Sequence, residues 1–236
     1  MAEEGKERGV LSVTELAQMI DHSILLPGQT EKDLEEGIAL ACAYRVKCVV
    51  PKAYQAARAK ELLKGSDVRL CIPVAFPQGL NLPEVKRYEA ERALDQGAQE
   101  LDMVINISAL RSREYAFVQK DIAGVVEVAR RFDAPVKVIL ETCLLTDEEK
   151  VAGCRLAEQA GALFVKTSTA TQPGGATVED IRLMRATVSP KVVVKASAFV
   201  TDIDKTLALY EAGARRFGTG YTVNILEGLR KRLADG

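Results

Sequence analysis

Eight short runs rich in Val, Ile and Leu alternate with longer amphipathic stretches, which leaves this chain few ways to fold. The runs fall at 19–23, 46–50, 69–76, 99–106, 135–142, 162–169, 191–197 and 214–220. Each is about the length of a strand, and several are nearly continuous in apolar residues, as in a parallel strand covered on both faces. Helical stretches are predicted between them at 30–44, 83–96, 115–132, 146–160, 177–187 and 202–212. Their ends carry stop and start signals. Thr146 and Glu149 have the spacing of a capping box, Pro83 suits a first helical position, and Gly97, Gly161 and Gly213 suit helix stops. Eight such units, with a leading helix near 12–19, favour a closed (β/α)8 TIM barrel over an open sheet. No Gly-x-Gly-x-x-Gly follows the first run and no Ser/Gly-rich linker divides the chain, so 1–236 is expected to be one domain with a mobile tail at 1–10.

Composition narrows the function classes. Lys plus Arg is 32 against 33 for Asp plus Glu, so no general field attracts nucleic acid or an anionic membrane. No apolar run approaches membrane-spanning length, and the charged start lacks the apolar segment of a secretory signal. Five cysteines without a C-x-x-C pair read as reduced thiols in a cytoplasmic protein. The lone His22 argues against a His-based metal site or a serine–histidine triad, so neither metal nor cofactor is expected.

In a barrel of this kind the chemistry sits at the C-terminal ends of the strands. The unusual residues there are lysines inside apolar runs: Lys137 with Glu141, Lys166, and Lys195, beside Asp102 and Asn106 on a neighbouring run. A free lysine, with a pKa of about 10.4, is a poor nucleophile at neutral pH. A second cation about 4 Å away, at an effective dielectric of about 20, disfavours its charged form by about 4 kcal/mol, roughly three pKa units. One amine would then be free to attack a carbonyl, with Asp102 available to shuttle protons.

At these residues the chain resembles the deoxyribose-phosphate aldolases, a family of Schiff-base (class I) aldolases. The matching stretches are I-D-H-S (20–23), D-M-V-I-N (102–106), V-K-V-I-L-E-T-C-L-L-T-D-E-E-K (136–150), F-V-K-T-S-T (164–169), G-G-A-T-V-E-D (174–180) and V-K-A-S (194–197). The resemblance implies that Lys166 forms the Schiff base, Lys195 is the neighbouring cation, and Asp102 acts with water in proton transfer. It implies that Asp21 and Ser23 lie near substrate hydroxyls or the relay, and that Lys137 belongs to the lysine network. Thr167 and Cys48 join the candidate substrate or relay residues, with Cys48 placed at the barrel mouth. The implied reaction is reversible cleavage of 2-deoxyribose 5-phosphate to acetaldehyde and glyceraldehyde 3-phosphate, by a homodimer or higher homo-oligomer. Another Schiff-base barrel lyase, or a non-catalytic sugar-phosphate-binding paralogue, remains an alternative.

The chain departs from the family pattern in its loops. Where the family usually has Gly-Gly-Ile-Arg after V-K-A-S, residues Ala198, Phe199, Val200 and Thr201 follow Ser197. Ala170 stands in place of a usual glycine, and Gly218-Thr219-Gly220-Tyr221 replaces a usual G-x-S-x-G. Glycine lets backbone N–H groups approach an anion closely. The expectation is retained carbon–carbon chemistry with weakened phosphate recognition and an acceptor preference shifted to unphosphorylated aldehydes; the alternative is that the loops rearrange and phosphate binds through other N–H groups and Gly174 and Gly175. Cys143 is placed near the mouth. Cys42, Cys71 and Cys154 read as packing residues, His22 as a structural hydrogen-bonding residue, and Arg215–Arg216 as a solvated face.

Overall fold

The computed structural model describes residues 11–235; the proposed tail at 1–10 lies outside them. The chain runs α1 (Val13–Ala17), β1 (Ile20–Ile24), α2 (Glu31–Ala43), β2 (Cys48–Pro51), α3 (Ala56–Leu62), β3 (Arg69–Val74), α4 (Pro83–Asp95) and β4 (Glu100–Val104). It continues through α5 (Ile107–Arg111), α6 (Tyr115–Arg130), β5 (Val136–Ile139), α7 (Asp147–Gln159), β6 (Phe164–Lys166) and α8 (Val178–Thr187). It ends with β7 (Val193–Ser197), α9 (Ile203–Glu211), β8 (Arg216–Thr219) and α10 (Thr222–Asp235). All eight strands pair in parallel and in chain order, and β8 closes on β1. This is the (β/α)8 TIM barrel with an added leading helix, as the sequence pattern implies.

Local signals explain most helix starts. Ser12 with Glu15, Thr30 with Asp33 and Thr146 with Glu149 form reciprocal capping boxes, each satisfying two otherwise orphaned N–H groups. Thr177 and Asp202 cap α8 and α9 through one side-chain acceptor each. Helix α3 has no side-chain cap and α5 is a single short turn capped by Asn106, so neither has a strong signature in sequence.

The apolar core lies between barrel and helices. It is built by outward strand residues such as Val49, Leu70, Leu101, Val138, Val165 and Val194, packed against helix residues including Leu34, Ile122 and Ile181. The barrel interior is different. Its apolar residues are few and include a small cluster of Cys48, Val50 and Cys71. Period-two alternation turns Asp21, Glu100, Asp102, Lys137, Lys166, Lys195 and Arg216 inward instead. Strand register brings them level: Asp102 pairs with Lys137, and Lys166 with Lys195. The interior is therefore filled by paired charge where barrels commonly stack branched aliphatics.

Candidate active site

Lys166 ends β6, and its amine opens onto a cavity of about 420 Å³ at the C-terminal ends of the strands. Beneath it lies a closed ionic network. Asp102 Oδ2 accepts from Lys166 Nζ and from Lys195 Nζ, both at 2.7 Å, while Oδ1 accepts from Lys137 Nζ at 2.8 Å. Lys195 also donates to Asp21 Oδ2 at 2.5 Å. Arg216 joins Asp21 and Glu100, each at 2.6 Å, and Glu100 returns to Lys137 at 2.7 Å. Phe164 closes the floor, its ring 5.7 Å from Lys137 Nζ and 5.6 Å from Arg216 Cζ. Gly218 lets Lys195 pass: a Cβ there would stand 3.2 Å from Lys195 Cε and 3.0 Å from Ser197 Cβ.

Charge balance singles out one amine. Within the barrel interior four cations (Lys137, Lys166, Lys195, Arg216) meet three carboxylates (Asp21, Glu100, Asp102), and the partly exposed Arg69 adds a looser contact to Glu100 at 3.4 Å, so positive charge is in excess. Burial, and then the Lys195 ammonium, push the Lys166 pKa below the ordinary lysine value against the opposing pull of Asp102. Burial pushes the same way on Lys137 and Lys195, but the carboxylates around each outweigh it and hold both above the ordinary value. Asp102 and Asp21 stay well below the usual carboxylate range because their surrounding cations outweigh burial. Among the network's lysines, the amine that faces the cavity is thus the one whose charged form is disfavoured. Burial is the first cause of that shift, ahead of the neighbouring cation on which the sequence argument relied.

Several sequence-singled residues lie elsewhere than expected. Cys48 begins β2 and is buried in the barrel interior, away from the mouth; burial raises its thiol pKa well above normal. Asp21, expected near substrate hydroxyls or the relay, takes the second place: it is fully buried, bonded to Lys195 and Arg216, and does not line the cavity. Thr167 faces β7, donating to the Ser197 carbonyl at 3.1 Å. Gly174, Gly175 and Cys143 line a separate depression beside Lys150 and Asp180. Arg216 is not solvated: it is 6% exposed and fully engaged, whereas its neighbour Arg215 stacks over Tyr210 on the surface. Period two sends one of the two arginines in and the other out. Ser23, Ala170, Ser197, Ala198, Phe199, Gly218, Thr219, Gly220 and Tyr221 do line the cavity. Cys71, expected only to pack, lies 3.2 Å from Lys137 Nζ and 3.1 Å from Asp102 Oδ1.

Residues the sequence argument missed are Glu100, Arg216 and Ser168. The first two sit two positions before Asp102 and Gly218, a spacing that marks the same inward face. Ser168 borders the cavity with its Oγ buried and unpartnered, available for a ligand hydroxyl or carbonyl. Asp21, Cys48 and Glu100 bring ligand atoms within 4.8 Å of one another, but Lys195, Lys137 and Arg216 already occupy both carboxylates. The rim holds its shape at some cost. Ala170, Ala198 and Phe199 take left-handed φ values of 72°, 67° and 55°. Such geometry costs a non-glycine residue roughly 1–2 kcal/mol. Glu141 anchors this rim, accepting from the N–H and the hydroxyl of Thr169.

His22 lines the cavity and pairs its Nδ1 with Thr222 Oγ1 at 2.9 Å. Burial lowers its pKa from 6.5 to about 4. The unfolded chain therefore binds the proton first. Stability is complete above about pH 6.5 and falls by as much as roughly 3 kcal/mol as pH drops toward 4. Urea unfolding at pH 7 and pH 4.5 measures this loss, and His22→Asn should remove most of the His22 part.

A parallel barrel presenting a buried, partly discharged lysine at its strand ends has the equipment of an amine-dependent aldolase. The comparisons with known proteins agree: the chain belongs to the DeoC/LacD family of aldolases, whose family model matches residues 15–223. It is 51% identical over 214 residues to the deoxyribose-phosphate aldolase of Enterococcus faecalis, covering 91% of this chain and 97% of that one. It is 48% identical over 218 residues to that of Thermococcus gammatolerans, covering 92% and 97%. Among solved structures, a deoxyribose phosphate aldolase from Aeropyrum pernix, described as a unique tetramer, superposes with a TM-score of 0.87 at 31% identity. That likeness covers 94% of this chain and 93% of the other. The protein is thus an aldehyde-lyase of this family.

Proposed function

We propose that the protein makes and breaks a carbon–carbon bond through an imine between Lys166 and an acetaldehyde unit, in the reaction class of 2-deoxyribose 5-phosphate cleavage. The observation that carries this is the placement of Lys166: among the described residues it is the one lysine that borders the cavity, its amine 2.7 Å from Asp102 Oδ2 and its pKa lowered by burial and the Lys195 ammonium. Neutral Lys166 attacks the donor carbonyl, and loss of water gives an iminium that inherits the place of the ammonium beside Asp102. Asp102 Oδ2, 2.7 Å from Lys166 Nζ, orients the attacking amine and stabilises that iminium. Because the Lys137 and Lys195 ammonium groups hold it low even when Lys166 is neutral, it passes protons to and from water without storing one. Lys195 keeps Lys166 discharged, Lys137 and Arg216 fix the carboxylates, and Ser168 and Ser23 supply hydroxyls along the wall. Binding alone would need no discharged amine, which disfavours the non-catalytic paralogue.

The donor half-reaction gives a direct test. The methyl protons of acetaldehyde should exchange with deuterated water in the presence of the protein and not with Lys166→Ala. The same enzyme should cleave 2-deoxyribose 5-phosphate or its unphosphorylated counterpart. Absence of both activities would overturn the reading. Lys195→Met should move the acidic limb of the kcat/KM profile to higher pH. It removes the neighbouring cation and frees Asp102 to pair with Lys166, and both changes favour the ammonium. An unmoved limb would show that burial alone sets the Lys166 pKa.

We further read the protein as a cytoplasmic homo-oligomer. Five cysteines without a disulfide among the described residues support the compartment, and the tetrameric relative supports the assembly. No helix among the described residues is long and apolar enough to cross a membrane.

A further inference from the structure

The cavity above Lys166 has a wall poorly suited to a strongly charged substrate. Among the described residues that line it, Lys166 alone is a Lys or Arg, and that amine must be neutral to react. His22 lines it too, but burial keeps the ring neutral down to about pH 4. The Arg216 guanidinium lies beneath, taken up by Asp21 and Glu100. The Tyr221 N–H, at the start of α10, is already given to Thr219 Oγ1. Facing these are the apolar surfaces of Leu25, Leu26, Phe76, Phe199 and Tyr221. Two of the rings stand open on the cavity, Phe199 at 57% exposure and Tyr221 at 52%.

The placement of Phe199 is built into the loop. Ala198 and Phe199 take left-handed backbone angles in succession, an outlying conformation for a bulky residue. Such angles persist only where the surroundings over-determine them. Gly175 is part of those surroundings: a Cβ there would lie 2.6 Å from Phe199 Cδ2 and 2.6 Å from the Ala198 carbonyl oxygen. The ring rests where only a glycine leaves it room.

We propose that the acceptor arm of this cavity takes uncharged aldehydes with apolar tails, and that Phe199 sets this preference. The inference rests on the aldolase reading above. The enamine carbon on Lys166 bonds to the acceptor carbonyl carbon and the acceptor oxygen takes a proton. Water then hydrolyses the iminium, which frees the amine. The acceptor tail meanwhile lies along Phe199, Leu25 and Leu26. A phosphate dianion in that position would meet backbone N–H groups of the Ala198–Phe199 turn and of the first turn of α10, but no free cation, and would shed water against the apolar side chains.

The test compares kcat/KM for cleavage of 2-deoxyribose 5-phosphate and of 2-deoxyribose, and for addition of acetaldehyde to glyceraldehyde 3-phosphate and to pentanal. The parent protein should handle the uncharged partners at least as well as the phosphorylated ones. Phe199→Gly should raise the phosphorylated-to-unphosphorylated ratio by roughly tenfold or more, and Phe199→Leu should leave it within about threefold of the parent. Each ratio is internal to one protein, so partial misfolding of a variant cancels. A parental preference above roughly tenfold for the phosphorylated partners, or a ratio that Phe199→Gly does not move, overturns the proposal. Acetaldehyde deuterium exchange separates the two readings. Exchange together with a phosphate preference overturns the acceptor inference alone. Absence of exchange overturns the aldolase reading and this one with it.

Discussion

Replacing Lys166 by alanine is expected to lower kcat/KM on the order of 10⁴-fold or more while leaving the protein folded. The chemical part follows from position: among the described residues, no other lysine borders the cavity. Lys137 and Lys195 lie 2.8 and 2.7 Å from Asp102 oxygens, fully buried and held protonated by their carboxylates, so neither can substitute. The stability part follows from charge. Without Lys166 the network keeps three interior cations against three carboxylates, and Asp102 keeps Lys137 and Lys195, so the variant strands no partner. Its thermal midpoint should equal or exceed the parent's. Treatment with acetaldehyde and cyanoborohydride should place an ethyl group on Lys166 of the parent, located by peptide mass mapping, and on no buried lysine of the variant. A variant that keeps activity, or a parent labelled at Lys195, would remove Lys166 from the nucleophile's role.

The arrangement around that lysine was only partly legible in the sequence. The eight strands were, because apolar runs between helix-stop glycines such as Gly97 and Gly161 carry a strong local signal. Lys166 and Lys195 were, because a cation inside an apolar run is conspicuous. The interior network was not, because it depends on register. Glu100 and Arg216 open their strands, where a charge looks like an ordinary strand end in contact with water. Only closure of the barrel places them under Asp102 and Asp21. Cys48 was misplaced for the same reason: β2 starts at this residue, so its thiol sits low in the barrel. Gly174 and Gly175 follow a loop whose path sequence does not specify, and Gly175 proves to matter through contact with Phe199 from the next unit.

Asp102→Asn should be the most damaging change at the same site, and for the opposite electrostatic reason. The substitution keeps the side chain's shape but leaves four buried cationic side chains facing two carboxylates: Lys166 loses its one carboxylate contact within salt-bridge distance among the described residues, while Lys137 keeps Glu100 and Lys195 keeps Asp21. Breaking a buried ion pair by removing one partner costs roughly 3–5 kcal/mol. The cost should depend on pH in a direction that identifies its cause. In the variant Lys166, without the opposing pull of Asp102, has a folded pKa still further below its unfolded value, so the unfolded chain binds more protons. Stability then rises more steeply than in the parent as pH climbs from 7 toward about 10; in the parent Lys166 alone contributes such a rise, because Lys137 and Lys195 are raised. Urea midpoints at pH 7 and pH 9.5 would show it. Activity should fall even where the variant is folded, because the amine loses the acceptor that orients it and the anion that stabilises the iminium. A variant as stable as the parent at pH 7 would mean that the lysines already share one fewer proton than the carboxylates require. The surplus charge would then be relieved at more than one amine.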